Sequence, residues 1–292
     1  MLYTLENDKL CVLVRSHGAE LRSIKERSDE TEYLWDGNPD WWKYSSPVLF
    51  PIVGKLLDGK YRVDGQEYEL PGHGLGRISD FELIGRLADR IKFRLEWSEE
   101  SLKQYPWKFQ LDIEYVLQDN QIEVIWTVHN LDEKEMVYSI GSHGAFRCPI
   151  VPGEKFEDCY LEFNKNENAA NMQLDAKGQF KHGYGTDKLD GRKLPLNYEM
   201  FRNDALAYDQ QKSDSVSICS TKSDKKLTVK AKDFPFWGYW TPDQGGAPFL
   251  CIEPWHGHAD FVDFKGEFKD REGSESLLPG EEKIFRYSIE IG

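Results

Sequence analysis

The sequence predicts an all-β protein of antiparallel sheets. Three observations lead there: hydrophobicity alternates with period two along most of the chain, helical periodicity is nearly absent, and aromatic residues abound, with 9 Trp, 14 Tyr and 16 Phe. Aromatic rings fit the half-buried pleat of a sheet, so most of them are expected in a core, with a minority left to line a cleft.

The elements follow in chain order. Residues 11–14 and 21–24 read as strands flanking a short turn. Residues 81–87 and 91–97 alternate as a hairpin turning at Asp89-Arg90. Residues 98–104 predict one short helix, closed where Tyr105-Pro106 disfavours helical backbone. From Trp107, the side chains of Phe109, Leu111, Ile113, Tyr115 and Leu117 share one face, while Lys108, Gln110, Asp112 and Glu114 share the other, which is expected to be solvated. A tight turn at Asp119-Asn120 returns the chain, and Ile122, Val124, Trp126 and Val128 continue the buried face. Residues 136–140 form an apolar strand, and Phe285, Tyr287, Ile289 and Ile291 a terminal one after the Pro279-Gly280 turn. The polar stretches 164–190 and 264–276 read as long surface loops. No linker, internal repeat or low-complexity tract interrupts the 292 residues, so residues 1–292 are expected to form a single domain.

Charge narrows the partners. With 51 acidic against 37 Lys and Arg residues, the net charge of −14 would repel phosphate backbones and anionic bilayers, so no nucleic acid and no membrane partner is expected. The longest apolar stretch, residues 47–54, holds two prolines and is too short to span a bilayer. The start, Met-Leu-Tyr-Thr-Leu-Glu-Asn-Asp, has neither the basic nor the apolar region of a signal peptide. The five cysteines, Cys11, Cys148, Cys159, Cys219 and Cys251, are scattered and odd in number with no C-x-x-C, which points to reduced thiols and a cytoplasmic protein.

Of seven histidines, five precede glycine, so that dipeptide discriminates nothing and context must. His143 ends an apolar strand in Ile-Gly-Ser-His-Gly-Ala-Phe, where small neighbours leave room for a ligand and Phe146 offers a stacking face. His73, in Leu-Pro-Gly-His-Gly-Leu-Gly-Arg, sits among glycines that permit close approach, with Arg77 four residues on. Trp237 is a second aromatic candidate for stacking. Glu253 lies in the apolar run Pro-Phe-Leu-Cys-Ile-Glu-Pro-Trp, sharing a strand face with Phe249 and Cys251. A carboxylate there is costly unless partnered, so it marks a structural ion pair or a working site, and desolvation would make it a stronger base. Nucleotide-binding glycine motifs and G-x-S-x-G are absent. His256-x-His258 followed by Asp260 has the spacing of metal ligands on one strand face and leaves a metal-dependent reading open.

Several segments together carry a resemblance. They are Gly18-Ala19-Glu20-Leu21-Arg22-Ser23-Ile24, residues 46–54 (Ser-Pro-Val-Leu-Phe-Pro-Ile-Val-Gly), His73-Gly74-Leu75-Gly76-Arg77, Ile140-Gly141-Ser142-His143, Cys251-Ile252-Glu253-Pro254-Trp255 and Leu278-Pro279-Gly280-Glu281. In this order, nearly end to end, the chain resembles the aldose 1-epimerase (galactose mutarotase) superfamily, in the branch near glucose-6-phosphate 1-epimerases and mutarotase-like bacterial proteins. The resemblance implies a large antiparallel β-supersandwich and cofactor-independent interconversion of the α and β anomers of an aldose or aldose phosphate, with no metal. His143 matches the general acid, Glu253 the general base, His73 a ligand of the ring oxygen and hydroxyls, and Arg77 the branch's pocket arginine. An aspartate that holds sugar hydroxyls falls near Asp204, with Asp209 as rival. The chain departs from the hexose-phosphate enzymes at Tyr44-Ser45-Ser46-Pro47, which lacks their arginine and leaves Lys55 as the nearby cation. It departs again at Leu75-Gly76, where the branch has Phe-Ala. The expected partners are a small-molecule sugar or sugar phosphate and a second copy of the chain in a homodimer. The alternative is a non-catalytic sugar-binding or sensing protein on the same fold. Either reading requires His143 and Glu253 to meet on opposite sides of one pyranose-sized hollow, and catalysis as read here needs the imidazole charged while the carboxylate is ionised.

Overall fold

The computed structural model describes residues 1–292. Its frame is one 15-stranded antiparallel sheet. The sheet path begins at Val48–Leu49 and passes through Ile140–Ser142, Phe249–His256, Phe236–Trp240, Leu206–Tyr208 and Cys159–Leu174. It then continues through Ser215–Ser220, Leu227–Lys230, Glu282–Ile291, Gln121–Asn130, Phe109–Gln118 and Arg90–Glu96 to end at Glu82–Arg86, while Gly144–Arg147 pairs with Phe249–His256 and Phe180–Pro195 with Cys159–Leu174 off this path. A three-stranded sheet of Leu2–Glu6, Leu10–Arg15 and Glu20–Glu26 and two small two-stranded ribbons complete it. The all-β expectation holds, and the sole α-helix is the single turn Glu99–Leu102, capped by Ser98, whose hydroxyl accepts the Ser101 N–H.

Alternation builds these strands as the sequence implies. The 109–130 hairpin pairs Gln118 with Gln121, and its apolar positions Leu111, Ile113, Val124 and Trp126 are sealed in the main core. Two expectations are corrected. The second face of that hairpin is not fully solvated: Asp112 is 1% exposed because Arg94 grips both its oxygens, at 2.7 and 2.9 Å, and Lys92 adds a contact at 2.9 Å. The supposed loop 164–190 is instead most of a long hairpin, Cys159–Leu174 with Phe180–Pro195. Its return strand is largely exposed and polar, so no apolar alternation marks it, while backbone pairing with the adjacent strand, interrupted by three register shifts, holds it in the sheet.

Candidate active site

The site is built on one face of three neighbouring strands. The register pairs Gly141 with Trp255, Gly144 with Ile252 and Ala145 with Cys251, which sets His143 directly across from Glu253. On the other side of Phe249–His256, Gly238 pairs with Glu253 and Trp240 with Cys251. Side chains at such opposed positions are the closest neighbours a sheet offers. His143 Nδ1 accordingly lies 3.3 Å from Glu253 Oε1. Glycines at 141 and 238 are what admit the Trp255 ring between them, since a Cβ at either position would stand 2.7 or 2.3 Å from it.

The His143 backbone is anchored from a distance. Glu20, 1% exposed, accepts the N–H groups of Ser45 and Ser46 at 2.6 and 3.2 Å and pairs with Arg15 at 2.5 Å. The segment so fixed accepts the His143 N–H at Pro47 O, 3.1 Å, and the Ala145 N–H at Ser45 O, 2.8 Å. Above the ring, Trp42 stacks at 4.5 Å and Trp240 meets it edge-on at 5.9 Å.

His73 arrives from a separate turn, at φ 64° with Gly74 at φ 73°. A Cβ on Gly74 would sit 2.3 Å from Phe50 O, so only glycine allows this approach. Its Nδ1 accepts the Gly54 N–H at 3.2 Å, which places the proton of the neutral ring on Nε2. The His73 and His143 rings stand 5.3 Å apart.

These residues line a cavity of about 260 Å³ together with Lys55, Asp204, Leu174, Phe180 and Ala259. Thus five of the eight expected site residues, His143, Glu253, His73, Lys55 and Asp204, share one hollow. The other three do not line it. Phe146 and Trp237 are each 1% exposed and packed in the main core. Both miss by one residue: strand side chains alternate, so His143 and Ala145 take the cleft face while Phe146 points away, and Gly238 and Trp240 take it while Trp237 does not. The aromatic wall consists of Trp42, Trp240, Trp255 and Phe180 instead. Arg77 stands behind the cleft, its guanidinium 4.9 Å from the Tyr44 ring centre and Nη2 donating to Gly72 O at 2.7 Å. Asp209 is drawn elsewhere, accepting the Tyr184 hydroxyl at 2.8 Å. Lys55 Nζ donates to Lys177 O at 3.0 Å.

Electrostatics differ from the sequence expectation. Burial, then His73 and Arg77, push the His143 pKa well below its usual value. Burial, then the Asp204 charge, push Glu253 well above the carboxylate range, with the Trp255 indole opposing. Burial, Arg77 and Lys55 hold His73 down to about 3. Burial therefore favours an uncharged imidazole beside a protonated carboxyl, one proton between two groups 3.3 Å apart, rather than a standing ion pair. The two also lie side by side on the cleft floor, not on opposite sides of it.

The histidine–aspartate alternative does not form a donor set. His256 Nδ1 contacts Glu275 at 2.7 Å, His258 Nδ1 contacts its neighbour Ala259 O at 2.6 Å, and Asp260 is gripped by Arg271 at 2.6 Å and the Leu57 N–H at 2.8 Å. No helix is long and apolar enough to cross a membrane.

Comparison with known proteins agrees with this architecture. The family model described as aldose 1-epimerase matches residues 1–274. Protein LacX of Lactococcus lactis subsp. lactis, in chromosomal and plasmid forms, is 34% identical over 299 residues, covering 100% of this chain and 99% of the relative. A galactose mutarotase related enzyme from Lactobacillus acidophilus superposes with a TM-score of 0.94 at 32% identity, covering 100% of this chain and 97% of that one. A galactose mutarotase-like protein from Lactobacillus casei gives 0.91 at 26% identity, with both chains covered in full. The fold, the family match over residues 1–274 and the LacX relatives together place the chain in the aldose 1-epimerase family.

Proposed function

We propose that the protein interconverts the α and β anomers of an unphosphorylated aldose by acid/base opening of the ring, with Glu253 and His143 as its catalytic residues. The observation that carries this is their cross-strand contact at 3.3 Å on the floor of an aromatic-walled cleft. Anomer exchange takes a proton off the C1 hydroxyl and puts one on the ring oxygen. Those two oxygens are bonded to the same carbon, so a donor and an acceptor side by side are the geometry it needs.

The single shared proton sets the cycle. Sugar hydroxyls entering the cleft solvate the carboxylate, and the proton moves across the 3.3 Å contact to the imidazole. Glu253 then takes the C1 hydroxyl proton as His143 gives its own to the ring oxygen, the C1–O5 bond breaks, and the pair returns to its uncharged state. Rotation about C1–C2 presents the other face of the aldehyde, and closure runs the transfers backwards. His73, fixed as an Nε2–H donor by Gly54, holds a sugar oxygen without competing for the proton. Asp204 accepts hydroxyls at the wall, and the tryptophans take the C–H faces. Lys55 is the one Lys or Arg lining the cleft, and it already serves Lys177 O, so a phosphate dianion finds no arginine fork to hold it.

Anomer exchange on pure protein, followed by polarimetry or NMR, tests the reading. Glu253→Gln and His143→Ala are each expected to lower the rate roughly 10²–10⁴-fold. Unchanged exchange in both variants overturns the assignment. A sugar that binds tightly to the wild type while exchanging at the solvent rate would favour the sensing alternative.

A further inference from the structure

We propose that His143, Glu253 and Cys251 form an inhibitory site for a tetrahedral divalent cation, with zinc the best fit, on the floor of this same cleft. Only the activity readout of this proposal rests on the anomer-exchange reading.

Three donor atoms, one from each residue, lie within 4.8 Å of one another. The sheet puts them there. Cys251 precedes Glu253 by two residues on one strand face, and His143 faces Glu253 across the ladder. Zinc–nitrogen, –oxygen and –sulfur bonds of about 2.0–2.3 Å put tetrahedral ligand atoms roughly 3.3–3.8 Å apart. The histidine–glutamate separation of 3.3 Å already meets that edge, and the thiol needs a shift of roughly 1 Å. A second observation points to a ligand. His143 is 8% exposed, and its Nδ1 is sealed from solvent and makes no well-aligned hydrogen bond, its polar neighbour being the Glu253 carboxyl at 3.3 Å.

Charge selects the cation. A dication with one thiolate, one carboxylate and one neutral imidazole sums to zero, which a buried floor tolerates, whereas a monovalent ion leaves a net negative charge. Binding releases the thiol proton and the proton shared by histidine and glutamate to solvent through the cleft. His143 and Glu253 line the cavity while Cys251 lies sealed beneath them, so a fourth ligand, a water, would come from the cavity side. A cation there occupies the carboxylate and the imidazole that anomer exchange needs, so turnover stops until it is removed. Cys251 contributes to the metal site alone and has no part in the proton transfers.

The test uses the chelator-treated full chain and cobalt(II) as a spectroscopic stand-in for zinc. One equivalent of cobalt is expected to give the thiolate-to-cobalt charge-transfer band of a tetrahedral site, and zinc to displace it. Cys251→Ser and Cys251→Ala, checked by melting curves, are expected to lose the band while keeping wild-type exchange in chelator. Their inhibition by zinc should weaken by more than the roughly 10–100-fold that loss of an outer-shell partner causes. The alanine variant covers the case in which a serine hydroxyl disturbs the apolar strand. No band in the wild type, or a band that survives both substitutions, overturns the proposal. A Cys251-dependent band in a protein without exchange activity leaves the metal site standing and removes the enzymatic reading instead.

Discussion

The His73 ring shows how one residue's surroundings decide its chemistry. Its Nδ1 is committed to the Gly54 N–H, and Arg77 and Lys55 add positive charge to the burial that keeps it neutral. The consequence for stability has a definite sign. Below the ordinary value of 6.5, the unfolded chain takes up a proton that the folded ring refuses until about pH 3. The unfolded state then binds more protons, so this residue's contribution to stability is lost as pH falls through that window. His73→Gln keeps an acceptor for Gly54 and removes the titration. The stability difference between wild type and variant should therefore shift against the wild type from pH 6.5 downward, by less than about 1.4 kcal/mol per pH unit, since the ring retains some exposure. Urea midpoints of both proteins across pH 4–7 check this, and parallel curves would refute it. His143 and Glu253 were legible as candidates because polar residues in apolar strands are rare. Trp42, Trp240 and Trp255 carry no such mark, because the glycines that make room for the Trp255 ring, Gly141 opposite it and Gly238 opposite Glu253, are set against it only by the register between strands.

Among the elements, the strand Phe249–His256 does most to make the site, since all eight of its residues are buried and both its neighbours supply cleft residues. Its packing leaves no slack. A Cβ at Gly238 would stand 2.3 Å from the Trp255 ring, so Gly238→Ala must displace the indole toward Gly141 or bend the strand. Overpacking of this kind costs about 1–3 kcal/mol. The expected outcome is a lower denaturant midpoint together with a raised KM for the sugar, and a KM unchanged at lowered stability would show that Trp255 does not line the bound ligand. Hairpins with an alternating apolar face, such as residues 109–130, were readable from the sequence because their burial is one-sided. The hairpin 159–195 was not, because its return strand is mostly exposed and its order comes from backbone pairing, to which side-chain patterns are indifferent.

For the molecule as a whole, the cleft links ligand to stability. A sugar that binds only the folded chain raises its stability by RT ln(1 + [L]/Kd), about 2.7 kcal/mol at a hundredfold excess over Kd. We expect unphosphorylated aldoses to raise the melting temperature and their 6-phosphates to raise it less at equal concentration, because Lys55 alone faces the cleft and the net charge is −14. A panel of hexoses and hexose 6-phosphates in a thermal-shift assay decides the matter, with larger shifts for the phosphates as the contrary result.

The sequence by itself determined the all-β class, most strand positions, the family and the short list of titratable residues, because period-two burial and rare buried polar groups are written locally. Only the tertiary structure decided which neighbours those residues meet. It brought His143 beside Glu253 across 110 positions of chain, turned Phe146 and Trp237 away by one step of alternation, and set Arg77 behind the wall. The reason is physical: a strand's pattern fixes that it has two faces, while the register between strands, a long-range property, fixes what each face confronts.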